Sequence, residues 1–525
     1  MCPSDDRFAD EDDSPERGYQ GMYDPLVAHN ARVLDPTKAV KIADDHFDTT
    51  LYIADGLLLR GLPDSALVAE FIAFALNQNI EVVIDPRNLD LADRASSRLS
   101  DIADHWVTPV KLRPLPGFAL TIDAWTLLQQ WRVRPRPDDS GGDAGEGRPA
   151  ASGAGEAISD ANAGTVGLEH LTFANDASQI AGQTMTLGGT MTLGGTMTLG
   201  GTMTLGGTVR GQYVIPGMGG RTPVAWVGAD PCRSKDLPCR PVVAIPDTGV
   251  GKHPWLVQGV EVVPPDSEPE VTGVVDDRLE GVLDDHSGHG TFIAGLVRQT
   301  CPDADIYAIP IMGSDGFVDE GVMVNTMLRL WTEFPDKHID VLSMSFGYYH
   351  EAPDDARTDA SLLGPLTALG QLGVLMVASA GNDATTRRMF PAAFDPGVVP
   401  LISVGARNPN GTIALFSNSG SWVRTYEIGA AVLSSLPITF DAALLPTARV
   451  GSSKGIRETI DPDNFGGGFA TWSGTSFAAP IIAGKLARAL LEAAREVDGR
   501  QVLGDPAQAR EAVLAPASQV SDEGG

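Results

Sequence analysis

The chain has 525 residues, and its 68 acidic and 38 basic side chains give a formal net charge of −30. A surface of that charge repels nucleic acid and anionic lipid, so we expect neither a nucleic acid nor a membrane as a partner. A hydrophobic fraction of 43% and a charged fraction of 20% are ordinary for a soluble protein of two or more domains.

The sequence near the N terminus has no basic region followed by an apolar run, which predicts that there is no secretory signal. No stretch approaches the roughly 18 unbroken apolar residues that a membrane span requires. We therefore expect a cytoplasmic protein, with export by an unconventional route as the alternative. We also expect the chain to act as a monomer.

The four cysteines, at positions 2, 232, 239 and 301, are too few for a disulfide framework. Cys232 and Cys239 flank a short loop, and they either form a disulfide in an oxidising compartment or remain free thiols. Their spacing lacks the paired second half of a zinc site. We expect no metal site and no cofactor.

Residues 41–135 have the pattern of a small α+β domain. Asp64 is placed to cap its first helix. The predicted elements are a strand from Asp48, an apolar helix from Ser65, strands at Glu81–Ile84 and Val107–Leu112, and a closing helix at Ile122–Trp131. This unit contains no catalytic constellation.

Three segments have the composition of disordered or linking chain. Residues 1–40 are acidic and rich in turn formers, and residues 516–525 form a short tail. Residues 136–240 are predicted to be a linker rich in Gly, Asp and Ala. This linker contains four tandem Thr-Met-Thr-Leu-Gly-Gly units at 184–207, which form a spacer, a short β-roll or edge-pairing segment, or a processing or docking site.

Residues 241–515 alternate short apolar runs with helical patterns. Unbroken apolar strands separated by helices predict an α/β fold with a parallel sheet that is covered by helices on both faces. In such folds the catalytic groups gather at the carboxyl ends of the strands. This part of the chain is therefore the expected catalytic domain.

Four polar motifs occur in this region. Asp247 follows a predicted strand within Asp-Thr-Gly, and His289 lies in His-Gly-Thr at a helix start. Asn382 lies in Ala-Gly-Asn, and Ser476 lies in Gly-Thr-Ser-Phe-Ala-Ala-Pro. In type and order these motifs resemble those of the subtilisin-like serine peptidases, and the resemblance covers about half of the chain.

The resemblance implies a serine endopeptidase that acts on polypeptides through an acyl-enzyme intermediate. Ser476 would be the nucleophile, His289 its general base and Asp247 the group that orients the imidazole. Asn382 would contribute to an oxyanion hole. The residues that would bind the substrate backbone are Ser345, Phe346, Gly347, Ser379, Ala380 and Gly381.

Other interpretations fit the motifs less well. A lipase would have Gly-x-Ser-x-Gly, which the sequence around Ser476 lacks. The sedolisins have glutamate in place of the histidine. His286 is a rival to His289, and with Asp284 and Asp285 it could suggest a metal site, but the Gly-Thr pair that follows favours His289 as the catalytic residue.

Two positions depart from the usual motifs, namely Pro246 before the aspartate and Phe292 after His-Gly-Thr. Neither substitution removes a catalytic group. The role of the N-terminal α+β unit stays open between a removable inhibitory prodomain and a recognition or regulatory domain. In the former case we expect the peptidase to process itself. In the latter case the protein would be a regulatory or sensor protein in which the N-terminal region controls a latent peptidase.

Overall fold

A computed structural model describes residues 25–42, 46–134, 165–174, 220–225, 230–263, 283–352, 361–441, 446, 448–497 and 500–515. The four repeats at 184–207, most of the predicted linker and the predicted tail at 516–525 lie outside the described residues. None of the helices in the described ranges has both the length and the apolar character needed to cross a membrane.

The N-terminal unit combines helices with antiparallel strands. Strand β2 pairs with β1 and β4, and β4 also pairs with β3. The elements are α1 (Pro25–Ala28), β1 (Ala31–Leu34), β2 (Thr50–Arg60), α2 (Ala66–Asn77), β3 (Ile80–Ile84), α3 (Pro86–Arg94), α4 (Leu99–Ile102), β4 (Val107–Pro114) and α5 (Ala124–Arg132).

Two features of this unit differ from the expectation. Ser65, and not Asp64, caps α2, because the Ser65 side chain accepts a hydrogen bond from the backbone N–H of Val68 at 3.4 Å. Residues 25–40, which the composition predicts to be disordered, contain α1 and β1. Pairing with β2 and burial of Leu34 hold this segment in place.

A further strand, β5 (Val166–Ala174), lies inside the range predicted to be a linker. Val166 and Leu168 pair with β2, so β5 adds a strand to the sheet of the N-terminal unit. Eight of its nine residues are buried, including Glu169 and His170. Because both faces of β5 are buried, polar residues occur on both of them, and the alternation of apolar and polar residues is interrupted at Glu169-His170. That alternation is the signal on which a strand prediction depends.

The C-terminal part begins with a two-residue strand, β6 (Thr222–Pro223). Its remaining elements are β7 (Val242–Asp247), β8 (Val260–Val262), α6 (His289–Thr300), β9 (Asp305–Pro310), β10 (Phe317–Asp319), α7 (Glu320–Glu333), β11 (Val341–Met344), β12 (Phe346–Gly347), α8 (Leu363–Gln371), β13 (Leu375–Ser379), β14 (Leu401–Arg407), β15 (Thr425–Ile428), β16 (Val432–Ser435), β17 (Arg449–Ser452), β18 (Gly455–Glu458), β19 (Phe469–Trp472), α9 (Thr475–Glu492), β20 (Arg495–Val497), β21 (Arg500–Val502) and α10 (Pro506–Leu514).

Seven strands form a parallel sheet in the order β15-β14-β13-β11-β7-β9-β8. Neighbouring residues of each strand point to opposite faces, so Val377 packs with α6 and α9 on one face. Met376 packs with α7 and α8 on the other. This arrangement confirms the predicted α/β fold with helices on both faces of a parallel sheet.

The N-terminal unit packs on the α7–α8 face of the C-terminal part. Trp106 and Val107 belong to the same buried cluster as Met327 and Trp331 of α7. Polar contacts join the two parts as well, since Asn88 Nδ2 donates to the side chain of Asn325 at 2.8 Å. A single apolar core therefore extends from the parallel sheet, through α7, into the N-terminal unit.

We expect Trp131→Ala to destabilise the N-terminal unit by about 3–5 kcal/mol, because it removes a buried aromatic side chain. Trp131 has no exposed surface, and its ring lies 5.0 Å from that of Phe71 and 5.3 Å from that of Phe74. Chemical denaturation of the full chain measures the change. Val133→Ala, at a side chain that is 40% exposed, is the matched control and should change stability by no more than about 0.5 kcal/mol.

Candidate active site

Asp247 and His289 are brought together by the ends of two elements. Asp247 is the last residue of β7, and His289 is the first residue of α6. His289 Nδ1 lies 2.8 Å from Asp247 Oδ1, and both side chains are buried. The same Asp247 oxygen accepts the backbone N–H of Thr248 at 2.8 Å, which fixes the carboxylate. The contact leaves His289 Nε2 as the nitrogen available for proton transfer.

Ser476 and Asn382 meet at the start of α9. Ser476 is the second residue of that helix, so it lies among the backbone N–H groups and the positive end of the helix dipole. Asn382 Oδ1 accepts the N–H of Thr475 at 2.9 Å, which turns its Nδ2 the other way. Among the described residues, Asn382 Nδ2 is buried without a hydrogen-bond partner. It is therefore a free donor beside Ser476.

Ser476 and His289 are not hydrogen-bonded to each other in this structure. Ser476 Oγ donates to the carbonyl oxygen of Ser345 at 3.0 Å. His289 Nε2 has no partner within the part of the chain that the structure describes. Proton transfer requires rotation of the serine side chain toward the imidazole, a change of a kind that is common when a substrate binds.

His286 does not take the place of His289. Its ring lies 5.8 Å from the His289 ring in a T-shaped arrangement, whereas His289 Nδ1 lies 2.8 Å from Asp247 Oδ1. The main chain of Asp284 and Asp285 is engaged elsewhere, because both carbonyl oxygens accept hydrogen bonds from Arg221 at 2.8 Å. The histidine that Gly-Thr follows in the sequence, His289, is thus hydrogen-bonded to Asp247 in the structure.

The buried Arg221 supports the loop before His289. Its guanidinium also donates to Ser287 O at 2.9 Å, and it lies 5.1 Å from the ring centroid of Trp472. Trp472 in turn packs edge-on against the His289 ring, with centroids 5.7 Å apart. Sequence reasoning missed Arg221 because it lies in the predicted linker, far from every motif, and no local pattern singles it out.

The segments that were expected to bind a substrate backbone lie beside Ser476. Ser345 exchanges hydrogen bonds with Ser476, since its Oγ donates to Ser476 O at 2.9 Å. Phe346 and Gly347 form β12. On the other side, Ser379 ends β13, and Gly381 N donates to Thr475 Oγ1 at 3.1 Å. The six residues from the two segments therefore flank the start of α9, with Ala380 buried between its neighbours.

The second half of β5 lies between β10 and β12. Phe173 pairs antiparallel with Phe317 on one edge and with Gly347 on the other. Ala174 pairs with Phe346 and donates its N–H to Gly316 O at 2.9 Å. Because Phe346 follows Ser345, the chain at Ala174 lies next to Ser476. We call the groove between β10 and β12 the cleft, and β5 of this protein occupies it.

These arrangements coincide with a family match. Residues 240–523, more than half of the chain, match the model of the subtilase family (Peptidase_S8). The chain belongs to the subtilase family.

Curated relatives are similar to part of this chain. Intracellular serine protease of Paenibacillus polymyxa is 26% identical over 219 residues, which cover 39% of this chain and 54% of that protein. Serine protease AprX of Bacillus subtilis is 28% identical over 267 residues, which cover 46% of this chain and 55% of that protein. The chain thus spans about half the length of the curated relatives it matches.

Two solved structures are also similar to the chain. A cold adapted subtilisin-like serine proteinase is 21% identical, with a TM-score of 0.34, and the match covers 59% of this chain and 94% of that chain. Patellamide maturation protease PatA is 23% identical, with a TM-score of 0.36, and the match covers 52% of this chain and 84% of that chain.

A buried cluster of charged groups lies at the end of the cleft, on the side away from Ser476. His170 of β5 places Nδ1 at 2.6 Å from Glu320 and Nε2 at 2.8 Å from Glu351. Burial lowers the pKa of His170, but the two carboxylates outweigh it and raise the pKa to about 10. Tyr348 stacks on the imidazole at 4.6 Å, and sequence reasoning missed the cluster because its members come from three distant segments.

Two groups of described residues have ligand atoms close enough to hold a metal ion. One is His170, His350 and Glu351, and the other is Asp441, Asp461 and Asp463. In the first group, hydrogen bonds between His170 and its carboxylates already use both imidazole nitrogens. Neither group includes His286, and neither lies among the residues that were expected to be catalytic.

The remaining features of the subtilase region fit the packing. Phe292 has no exposed surface and lies 4.6 Å from the Phe477 ring, so an aromatic side chain fills the space behind His289. Pro246 lies within β7, where it pairs in register with Ile309.

Cys232 and Cys239 are free thiols, so the structure corresponds to the reduced alternative.

We expect Gly290→Ala to slow the reaction of Ser476 with a fluorophosphonate probe by roughly 10³-fold or more, because it disturbs the partner of the histidine base. A Cβ atom at Gly290 would lie 2.2 Å from Gly249 O and 3.2 Å from Asp247 Oδ1, so the backbone that holds Asp247 would have to move. Rates of probe labelling measure the effect.

Gly451→Ala is the matched control, because a Cβ atom there meets nothing within 4 Å. Circular dichroism of both variants checks that the chain remains folded. Equal labelling rates for Gly290→Ala and the wild type would contradict the close approach that we describe between α6 and the Asp247 loop.

Proposed function

We propose that this subtilase is a serine endopeptidase. The observation that carries the proposal is that the first turn of α9, which contains Ser476, is contacted from two sides. The His289 ring, paired with Asp247, lies 5.4 Å from that of Phe477, and Asn382 accepts the N–H of Thr475. A paired imidazole, a hydroxyl at a helix N terminus and a free amide donor are the groups that acyl transfer requires. The cleft accepts an extended backbone, which favours a polypeptide substrate.

In the proposed reaction, Ser476 Oγ attacks the carbonyl carbon of the scissile bond, and its proton moves to His289 Nε2. Asp247 stabilises the imidazolium that forms. Asn382 Nδ2 and the backbone N–H of Ser476 donate to the oxyanion. His289 then gives the proton to the leaving amine, and the C–N bond breaks. A water molecule, deprotonated by the same histidine, hydrolyses the acyl-enzyme and restores the serine.

We further infer that the N-terminal unit keeps the peptidase latent. Strand β5 fills the cleft with main-chain hydrogen bonds to β10 and β12, so a substrate strand and β5 compete for the same edges. The chain runs on from Ala174, next to Ser476, which favours self-processing at a bond beyond Ala174. A unit that stays in place after or without cleavage would instead be a permanent regulator of the peptidase.

Intact mass analysis of the wild type, Ser476→Ala and Ser452→Ala tests this function. We expect the wild type and Ser452→Ala to react with a fluorophosphonate at Ser476, and to gain a new N terminus between residues 175 and 220. Ser476→Ala should do neither. Ser452 is the matched control because it is an exposed serine away from the cleft.

Each alternative result has a clear meaning. Labelling of the wild type without cleavage would favour the permanent regulator over the removable inhibitor. Labelling of Ser476→Ala at the wild-type rate would overturn the assignment of the nucleophile. Asn382→Ala should slow peptide hydrolysis by roughly 10²–10³-fold, the effect of removing the corresponding donor in subtilisin. An unchanged rate would remove Asn382 from the oxyanion hole.

We expect the N-terminal unit to hold the cleft less tightly as the pH rises. Hydrogen bonds to Asp315 and Asp319 raise the pKa of His29 to about 9, and His170 titrates at about 10. A free histidine titrates near 6.5, so both contributions are complete below about pH 6.5 and decline as the pH rises toward 9 and 10.

The melting temperature of the Ser476→Ala chain measures this decline. It should fall from neutral to alkaline pH more steeply than that of the same chain with His29→Gln and His170→Gln. His46→Gln, at an exposed histidine, is the control and should follow the parent curve. Parallel curves for all three chains would show that neither His29 nor His170 couples the N-terminal unit to pH.

A further inference from the structure

His170 occupies a defined position on the strand that fills the cleft. It lies four residues before Ala174, the residue whose N–H is held by Gly316 next to Ser476. Its imidazole reaches Glu320 at the start of α7 and Glu351 beyond β12. These carboxylates come from the two sides of the cleft, and the His170 side chain lies between them and contacts both.

The two carboxylates belong to the subtilase region, whereas their cationic partners belong to the N-terminal unit. Glu320 and Glu351 are each 1% exposed, and His170 is 2% exposed. Arg132 of α5 lies 3.8 Å from Glu351 and is the second cation that the N-terminal unit supplies. When the unit leaves, both carboxylates lose these partners, and a buried carboxylate without a cation is strongly disfavoured.

We propose that Glu320 and Glu351 form a subsite that binds a positively charged side chain of the substrate, four residues before the residue held by Gly316. The inference rests on the proposed peptidase function and names its substrate class. His170 is the occupant that the protein itself supplies. Because both imidazole nitrogens donate to carboxylates, His170 occupies the subsite as an imidazolium, which a lysine or arginine side chain replaces.

The residues that follow His170 in β5 indicate which other substrate side chains the cleft would bind. Leu171 packs against Leu51 and Ile53 of the N-terminal unit, so its environment departs with that unit. Phe173 packs against Tyr349 and Met389 of the subtilase region, so an apolar subsite remains there. The substrate class is thus an extended polypeptide with a basic residue three positions before an aromatic or other large apolar residue.

A side-chain cation explains the cluster better than a metal ion does. The 2.8 Å separation of His170 Nε2 and Glu351 Oε2 is a hydrogen-bond distance. His350 Nδ1 already accepts the N–H of Ala352 at 3.0 Å, so that lone pair is in use. The cluster is therefore complete with protonated His170 in place.

The first test needs no catalysis and uses hydrogen exchange of β5 in the full Ser476→Ala chain. We expect His170→Gln and Glu320→Gln each to speed exchange of the β5 amides by about tenfold or more, because a charge-assisted hydrogen bond is lost. Combining them should add little to either single effect. His46→Gln should leave exchange unchanged.

The second test uses peptides with the sequence of residues 169–175, carrying arginine or glutamine at the His170 position, and the wild-type enzyme. We expect the arginine peptide to have a kcat/KM about tenfold higher, and Glu351→Gln to reduce the ratio to about twofold. The comparison of the arginine and glutamine peptides needs only the wild-type enzyme. It therefore tests the subsite even if a variant fails to fold.

The outcomes separate this inference from the function on which it rests. Additive effects in the exchange experiment, equal rates for the two peptides, or stoichiometric zinc in the purified chain would overturn the subsite. Failure of the fluorophosphonate to label Ser476 would instead overturn the peptidase function. The exchange experiment would still decide whether the carboxylate pair binds a cation.

Discussion

The arrangement of the molecule depends on the backbone hydrogen bonds along both edges of β5. One edge of its first half pairs with β2, which ties it to the N-terminal unit, while its second half pairs with β10 and β12. A single extended segment thus joins the small sheet to the cleft wall. These hydrogen bonds set how the two parts lie against each other. The apolar core around α7 and the ion pairs between the parts add buried area and paired charges to that arrangement.

The charges around β5 lie where the two parts of the chain meet. Lys111 bonds Glu169 at 2.9 Å, and Glu169 accepts the N–H of Gly321 in the first turn of α7. Glu169 thereby satisfies a free donor at the helix N terminus with a carboxylate that the positive end of the dipole favours. Lys111 also lies 3.5 Å from Asp319, and His170 pairs with Glu320 and Glu351, so separation of the two parts would remove these charge pairs.

The fold of the catalytic region was predictable because its signals are local. The strand before Asp247 is an unbroken apolar run, and Ser476 and His289 lie in short motifs with glycine at the helix starts. A parallel sheet brings such motifs to one edge wherever they lie in the chain. Sequence reasoning therefore expected these residues at one edge of the sheet, and the Asp247 carboxylate lies against the His289 imidazole in the structure.

The features that were missed share one physical cause, which is that their partners are far away in sequence. Strand β5 is buried on both faces, so it lacks a polar side that would mark it. His170 and Glu351 lie 181 residues apart, so no short stretch of sequence indicates that their side chains meet. The capping of α2 was misplaced by one residue because Asp64 and Ser65 are both favourable caps.

The position of Arg221 limits how far the N terminus of the peptidase can be trimmed. Its bonds to the loop at 284–287 and the pairing of β6 with β19 tie residues 221–223 to the strand and the loop that lead to Ser476 and His289. A chain that began beyond Arg221 would lack the guanidinium that donates to the loop before His289. Residues 221–223 therefore belong to the same packed unit as the loop before His289 and the strand before Ser476, although they lie within the range that the composition assigns to a linker.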